Sequence, residues 1–324
     1  MSTIDRRQFL ERMLVLGGAA LTAAAFLSLL SCSKEPTPEP PVDNTTPPDN
    51  TTPPSDAAYL AVARGSSPTT LVQKAIDALG GIGRFVKSGN DVIIKPNICV
   101  ANRAPQYAAT TNPEVVAALV TLCLRAGAKR VRVMDHPFSG TAEEAYDTSG
   151  IAAAVEAAGG EMEVMASMKF QDTAIPNGQS ITTCRVYRDI VDTDVLIDVP
   201  IPKEHGDAVL SIGMKNLLGV VSNPGDYHAN LAERVTDLNT LVRPRLVVVD
   251  AIRILTKNGP TGGKLEWVKQ TDTIIASHDI VAADSYAATL FGKTGRDVPI
   301  VYAGAKRGLG TMDLSSIKIE EIAV

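Results

Sequence analysis

The sequence predicts an α/β protein: a mostly parallel sheet with helices on both faces and a small β-rich insertion. Short β-branched runs such as DVIIK and RVRVMD alternate with longer segments whose apolar residues recur at helical spacing. The helical segment PEVVAALVTLCLRAG connects those two runs, which is the order of a βαβ unit with parallel strands. The stretch from Gly160 to Tyr187 lacks this alternation, and we expect it to form the strands of the insertion.

The elements follow in order from Ala57. YLAVAR, TLVQKAIDAL, DVIIK, PEVVAALVTLCLRAG and RVRVMD are predicted as strand, helix, strand, helix and strand. The second helix begins at TNPE, where Thr111 can cap free amides, Pro113 suits the first turn and Glu114 can close a capping box. Gly127 ends it. The later strands VLIDVP, RLVVVD and TIIAS are accompanied by the predicted helices IGMKNLLGVV, LAERVTDLNTLV and DIVAADSYAATLFG.

Three regions are predicted: an export segment (1–32), a linker (33–56) and an α/β domain (57–324). The arginine pair of DRRQFL precedes a short apolar run that ends in LLSC. This pattern resembles a twin-arginine signal peptide joined to a bacterial lipoprotein box, which implies that Cys32 carries a lipid. An uncleaved membrane anchor is the alternative. We therefore expect the twin-arginine export machinery as a partner, and a domain anchored to the cell envelope on its periplasmic side or at the cell surface.

The linker contains the unit DNTTPP twice in tandem. Its many prolines remove backbone donors and favour an extended, solvated chain, so residues 33–56 are predicted to be a disordered but semi-rigid stalk.

Composition excludes several functions. The net charge is −5 without an extended Lys/Arg run, which argues against nucleic acid as a partner. Aromatic residues make up 4% of the chain, so a base-stacking surface is not expected. Beyond Cys32, the cysteines Cys99, Cys123 and Cys184 have no CxxC spacing, so no iron–sulfur or structural zinc motif is present, although one disulfide can form.

Polar residues follow the carboxyl ends of several predicted strands. They are Lys95, Asp135, His136, Lys203, His205, Asp250, His278 and Asp279. In an open parallel sheet these ends lie along one edge, and ligands bind in the crevice outside it. Lys215 and Asn216 lie in a segment of predicted core residues, where an unpaired charge is costly, so we expect the same polar crevice to contain them.

Residue chemistry predicts roles within that crevice. We expect catalysis by His205, Lys215 and Lys95, substrate binding by Lys203, Asn216, Gly262 and Gly263, and metal binding by Asp135, Asp250 and Asp284. Histidine suits acid–base work, ammonium groups bind anionic oxygens, glycine-rich loops form amide nests, and carboxylates suit a divalent metal. Helix capping by the aspartates and an exposed Lys215 are the alternatives. GxGxxG, HExxH and GxSxG motifs are absent from the positions that would support their functions.

Six segments resemble the domain-of-unknown-function family 362, in the same order. They are VIIKPNICV, ATTNPEVVAALV, AGAKRVRVMD, PKEHGDAVLSIGMKNLLGVV, LVVVDAIRILTKNGPTGG and ASHDIVAADSYAATLFG. By this resemblance the family's lysine–asparagine pair is Lys215 with Asn216, its lysine before PN is Lys95, and its Lys-x-His is Lys203 with His205. Some members resemble iron–sulfur proteins through an added ferredoxin-like module, whose cysteines this chain lacks.

Together these observations predict an envelope lipoprotein that is an enzyme acting on a small anionic substrate, with a divalent metal as a candidate cofactor. A non-catalytic lipoprotein that binds a ligand or partner in the same crevice is the alternative.

Overall fold

The computed structural model describes residues 57–324; the predicted signal peptide, Cys32 and the linker lie outside the described residues. The strands are β1 (Leu60–Arg64), β2 (Asp91–Pro96), β3 (Arg130–Val133), β4 (Glu161–Met162), β5 (Phe170–Ala174), β6 (Thr183–Tyr187), β7 (Val195–Val199), β8 (Lys203–His205), β9 (Val209–Ser211), β10 (Leu246–Leu255), β11 (Val268–Ser277) and β12 (Ile319–Ala323). The helices are α1 (Pro68–Ala78), α2 (Pro113–Arg125), α3 (Ala142–Thr148), α4 (Ile151–Ala157), α5 (Arg188–Asp192), α6 (Gly213–Asn216), α7 (Leu231–Leu241), α8 (Ile280–Thr289) and α9 (Pro299–Lys306).

The main sheet has the strand order β12-β1-β11-β10-β7-β2-β3-β4. Strands β10, β7, β2, β3 and β4 are mutually parallel, as are β1 and β12, whereas β11 is antiparallel to both of its neighbours. Strands β5 and β6 form a separate antiparallel pair. The predicted α/β class, mostly parallel sheet and small β-rich insertion are therefore confirmed.

Helices cover both faces of the sheet because successive strand residues point to opposite sides. In β2, Ile93 packs in one apolar cluster with residues of α6, α7, α8 and α9, while Val92 and Ile94 pack in a second cluster with residues of α1, α2 and α4. Burial on both faces explains why the central strands are almost continuously apolar.

Helix α2 is capped by Asn112, one residue after the predicted Thr111. The Asn112 side chain accepts a hydrogen bond from the Glu114 amide, and Pro113 takes the first helical position as predicted. The Thr111 hydroxyl instead accepts from the Asn97 amide and donates to the Val199 carbonyl, both at 2.8 Å. Thr111 therefore links the ends of β2 and β7, where the polar crevice was predicted.

The segment IGMKNLLGVV forms α6, a single helical turn, followed by a 3-10 turn over Leu217–Val220. Asp284 of α8 fixes its start by accepting the Gly213 and Met214 amides at 2.8 and 2.9 Å. This short element carries Lys215 and Asn216.

Cys99, Cys123 and Cys184 are all buried and free, so the disulfide allowed by the sequence does not form among them. Within residues 57–324, no helix has both the length and the apolar character needed to span a membrane.

Candidate functional site

A cavity of about 440 Å³ lies at the carboxyl ends of β2 and β7. Seven residues predicted from the sequence line it: Lys95, Asp135, His136, Lys203, His205, Lys215 and Asn216. The parallel direction of the central strands brings these side chains together from loops that are distant in sequence.

Lys95 is held in a buried ion pair. Its Nζ lies 2.7 Å from Oδ1 of Asp135 and donates to the Pro96 carbonyl at 2.8 Å and to Oδ1 of Asn216 at 3.1 Å. The other Asp135 oxygen accepts the Ile98 amide at 2.6 Å. The ammonium group therefore has two hydrogen-bond acceptors and one ion-pair partner, and the charge of Lys95 is compensated within the protein.

Asn216 connects this pair to a second buried acid. Its Oδ1 accepts from Lys95 and from Nδ2 of Asn97, and its own Nδ2 donates to Oδ1 of Asp198 at 2.7 Å. Asp198 is fully buried within β7, and burial raises the pKa of its carboxyl well above the usual range. This network fixes the orientation of the Asn216 amide.

Lys203 is a buried cation without an acidic partner. Its Nζ donates to Oδ1 of Asn97 at 2.8 Å and to the Ala109 carbonyl at 3.0 Å, and it lies 3.5 Å from Sγ of Cys99. In the part of the chain that the structure describes, no carboxylate lies within ion-pair distance of this ammonium group. Its hydrogen bonds are satisfied, but its positive charge acts on the cavity.

The ammonium group of Lys215 makes no hydrogen bond and no ion pair with any residue among 57–324. Burial, together with the charge of Lys203, lowers its pKa to about 8. Lys215 therefore presents free donors to a ligand in the cavity.

His205 is neutral at physiological pH. Burial, followed by the charge of Lys215, lowers its pKa to about 4. Its Nδ1 accepts from the Asp207 and Ala208 amides at 3.1 and 3.3 Å, so the single ring proton is assigned to Nε2. At the rim, Nδ1 of His228 lies 3.1 Å from a carboxylate oxygen of Asp207.

The three aspartates predicted to bind a metal, Asp135, Asp250 and Asp284, do not converge on one site in the described part of the chain. Asp250 lies in the middle of β10 because the strand continues to Leu255; it accepts the Asn112 amide at 2.6 Å, and burial raises its pKa to about 6. Asp284 accepts two amides at the start of α6. Within residues 57–324, no group of three or more His, Cys, Asp or Glu side chains could hold a metal ion.

Gly262 and Gly263 shape the loop that borders the cavity but do not line it. Their φ angles are +56° and +126°, and a Cβ would lie 2.8 Å from the Leu255 side chain or 3.0 Å from that of Arg103. The neighbouring Pro260 and Thr261 reach the cavity instead.

His278 and Asp279 lie at the end of the sheet away from the cavity, beside the amino ends of the central strands. Strand β11 is antiparallel to β10, so its carboxyl end is beside the amino end of β10. Asp279 there caps α8 by accepting the Ala282 amide.

Sequence reasoning missed Asn97, Cys99 and Asp198. Asn97 and Cys99 come two and four residues after Lys95 and line the cavity, and Asp198 accepts a hydrogen bond from the Asn216 side chain. Asp198 had a visible signal, since VLIDVP places a carboxylate inside an otherwise apolar strand.

A second cavity of about 600 Å³ borders the β5–β6 pair, with Arg185, Tyr227 and Arg234 in its lining. None of the predicted catalytic or binding residues lines it, so the smaller cavity is the candidate site.

A family model described as a domain of unknown function (DUF362) matches residues 92–289. The thylakoid-associated protein sll1697 of Synechocystis sp. is 28% identical over 245 residues, covering 72% of this chain and 73% of that protein. The lactate racemase apoprotein of Thermoanaerobacterium thermosaccharolyticum aligns with 12% identity and a TM-score of 0.47, over 73% of this chain and 58% of that structure. A Thermotoga maritima protein aligns with 12% identity and a TM-score of 0.45, over 71% and 60%.

Proposed function

This chain belongs to the family of the domain of unknown function DUF362, and on that premise we propose that it is an enzyme acting on a small anionic substrate in the cavity beside Lys215. One observation carries the proposal. Two ammonium groups, those of Lys203 and Lys215, line the same cavity, and neither has a carboxylate partner among residues 57–324.

Electrostatics favour an anion in this cavity. Asp135 is the only acidic residue in the lining, and its charge is already balanced by Lys95. A bound anion would compensate the remaining positive charge and accept charge-assisted hydrogen bonds from Lys215, each worth about 1.5 to 3 kcal/mol.

Size and polarity favour a small molecule with an apolar part. A volume of about 440 Å³ is in the range of metabolite sites, and Phe138, Leu218 and Pro224 add apolar surface to the lining.

His205 supplies the catalytic group of the proposal. A neutral imidazole with its proton on Nε2 is a hydrogen-bond donor that can stabilise an oxygen as it gains negative charge. In the proposed division of roles, Lys215 and Lys203 attract the anion and His205 polarises the reacting group. Lys95 and Asn216 keep the surrounding side chains in position.

The location is also part of the proposal. DRRQFL and LLSC support export and lipid attachment at Cys32, which would place the enzyme at the cell envelope.

Calorimetry on the full chain, with acetate and phosphate as probes, tests the site. We expect binding by the wild type, at least tenfold weaker binding by Lys215→Met, and unchanged binding by Lys74→Met, a control on the exposed face of α1. Equal affinity in all three proteins would contradict the proposal.

Catalysis is tested separately from binding. The wild type and His205→Ala are incubated with a small-molecule extract of the native host and followed by NMR. Consumption of a metabolite by the wild type alone supports an enzyme, whereas anion binding without any turnover supports the non-catalytic alternative.

A further inference from the structure

We propose that Lys215 forms a Schiff base with the substrate and that the substrates are small 2-oxo acids, in which a carbonyl group adjoins a carboxylate. This inference rests on the proposed anion site and deepens it, because it identifies a second, covalent use of the same lysine.

The geometry selects Lys215 among the three lysines of the cavity. A lysine attacks a carbonyl carbon through its nitrogen lone pair, so the amine must be free of partners. Lys95 is committed to Asp135, Asn216 and a backbone carbonyl, and Lys203 to Asn97, Cys99 and another carbonyl. Lys215 has no such contact within the described residues, and it lines the cavity.

The environment also favours the neutral amine. The lowered pKa of about 8 comes from burial and from Lys203, the two features that activate Schiff-base lysines. At pH 7 roughly a tenth of Lys215 would be uncharged, against less than about a thousandth of an ordinary lysine with a pKa near 10.4.

The step balances without any oxidant or reductant. The Lys215 ammonium releases a proton to solvent, and its nitrogen forms a bond to the carbonyl carbon while the C=O π electrons move to oxygen. One proton passes from nitrogen to that oxygen, a second arrives from solvent, and the oxygen leaves as water. The nitrogen lone pair then completes the C=N bond, so amine, carbonyl and one proton become a protonated imine and water.

The remaining groups explain the preference for an oxo acid. Once Lys215 is joined to the carbonyl carbon, the adjacent carboxylate lies within the positive field of Lys203. Nε2–H of His205 is available to donate to the carbonyl oxygen during attack or to the carboxylate afterwards. A simple aldehyde or ketone would leave the charge of Lys203 uncompensated.

Reductive trapping tests the inference on the full chain. The protein is incubated with glyoxylate, pyruvate or 2-oxoglutarate and sodium cyanoborohydride, and modified lysines are located by peptide mass spectrometry. We expect modification of Lys215 at least tenfold faster than of exposed lysines, and protection by excess acetate. Lys215→Arg should lose this fast modification, and the surface control Lys74→Arg should retain it.

The readouts separate the two proposals. If the wild type binds acetate but none of the three oxo acids is trapped at Lys215, the Schiff base is overturned and the anion site stands. If trapping occurs only at exposed lysines, unaffected by acetate and equal in Lys215→Arg, the inference is likewise overturned. If no anion binds at all, the proposed function itself fails.

Discussion

Nζ of Lys95 lies 2.7 Å from Oδ1 of Asp135, and the two side chains are only 1% and 3% exposed. The pair joins the ends of the neighbouring strands β2 and β3 beneath the cavity. Gly219 lies directly against it, since a Cβ there would be 2.0 Å from Oδ1 of Asp135 and 2.8 Å from Nζ of Lys95. The floor of the site therefore depends on a charge pair and on a residue without a side chain.

Asp135→Asn should destabilise the fold by about 3 to 5 kcal/mol, because it leaves the Lys95 charge buried without compensation. Urea unfolding measures the effect. Asp172→Asn is the control, since Asp172 is 76% exposed and lies 3.8 Å from Arg185, and it should cost less than about 1 kcal/mol. Similar losses in both variants would contradict a special role for the buried pair.

Gly219→Ala should destabilise the protein by about 1 to 3 kcal/mol or more, because the added methyl group overlaps the ion pair. Gly206→Ala provides a matched control, since nothing lies within 4 Å of a Cβ at that position. Thermal unfolding of both variants tests this, and a neutral Gly219→Ala would show that the ion pair can move aside.

Acetate binding should weaken as pH rises through the Lys215 pKa of about 8. Above that pH the bound anion loses its ammonium partner, so affinity should fall about tenfold between pH 7 and pH 9. Lys215→Arg stays charged over this range and should show no fall. Calorimetry at several pH values checks the difference, and parallel curves would exclude Lys215 as the titrating group.

Stability should decrease with rising pH because of Asp284, whose pKa is raised from 3.8 to about 7 by burial. Because of the raised pKa, the folded state binds the Asp284 proton more tightly than the unfolded state does. The contribution of Asp284 to the free energy of unfolding is therefore fully present below about pH 4 and is lost as pH rises through 7. The loss is on the order of 4 kcal/mol.

The measurement for Asp284 is the pH slope of the unfolding free energy. This slope is proportional to the number of protons taken up on folding, and between pH 4 and 7 that number should be smaller by up to about one in Asp284→Asn. Asp198 and Asp250 also have raised pKa values, but they are present in both proteins and cancel in the comparison. Identical slopes would show that Asp284 does not titrate in this range.

Cys32→Ala should move the protein from the detergent phase to the aqueous phase in a Triton X-114 partition of native-host cells, because the lipid attachment point is removed. Cys123→Ala, which changes a buried cysteine of α2, should still partition into detergent. Equal partition of Cys32→Ala and the wild type would contradict lipidation.

The sequence was sufficient to predict most residues of the candidate site because their convergence follows from strand direction. Alternating strands and helices imply a parallel sheet, and the carboxyl edge of that sheet brings Lys95, Asp135, Lys203 and His205 together. Lys215 was predicted for a different reason, namely a charge among core residues that needed a polar environment.

The remaining predictions depended on strand direction and strand length. The apolar composition of TIIAS does not indicate in which direction the strand runs. Because β11 is antiparallel to β10, His278 lies beside the amino end of β10, away from the cavity. Asp250 is followed by AIRIL, which continues the strand and keeps the carboxylate away from the cavity. Asn97 and Cys99 lie in a loop, where no periodicity indicates which side chains face a ligand.

The reversal at β11 also determines where the first described residues lie relative to the cavity. Leu60 at the start of β1 is level with Ser277 and, across β11, with Val247, so the chain enters the domain at the amino ends of the central strands. Ala57 and Ala58 therefore lie near the end of the sheet opposite the carboxyl ends of β2 and β7, so the first described residues leave the mouth of the cleft uncovered.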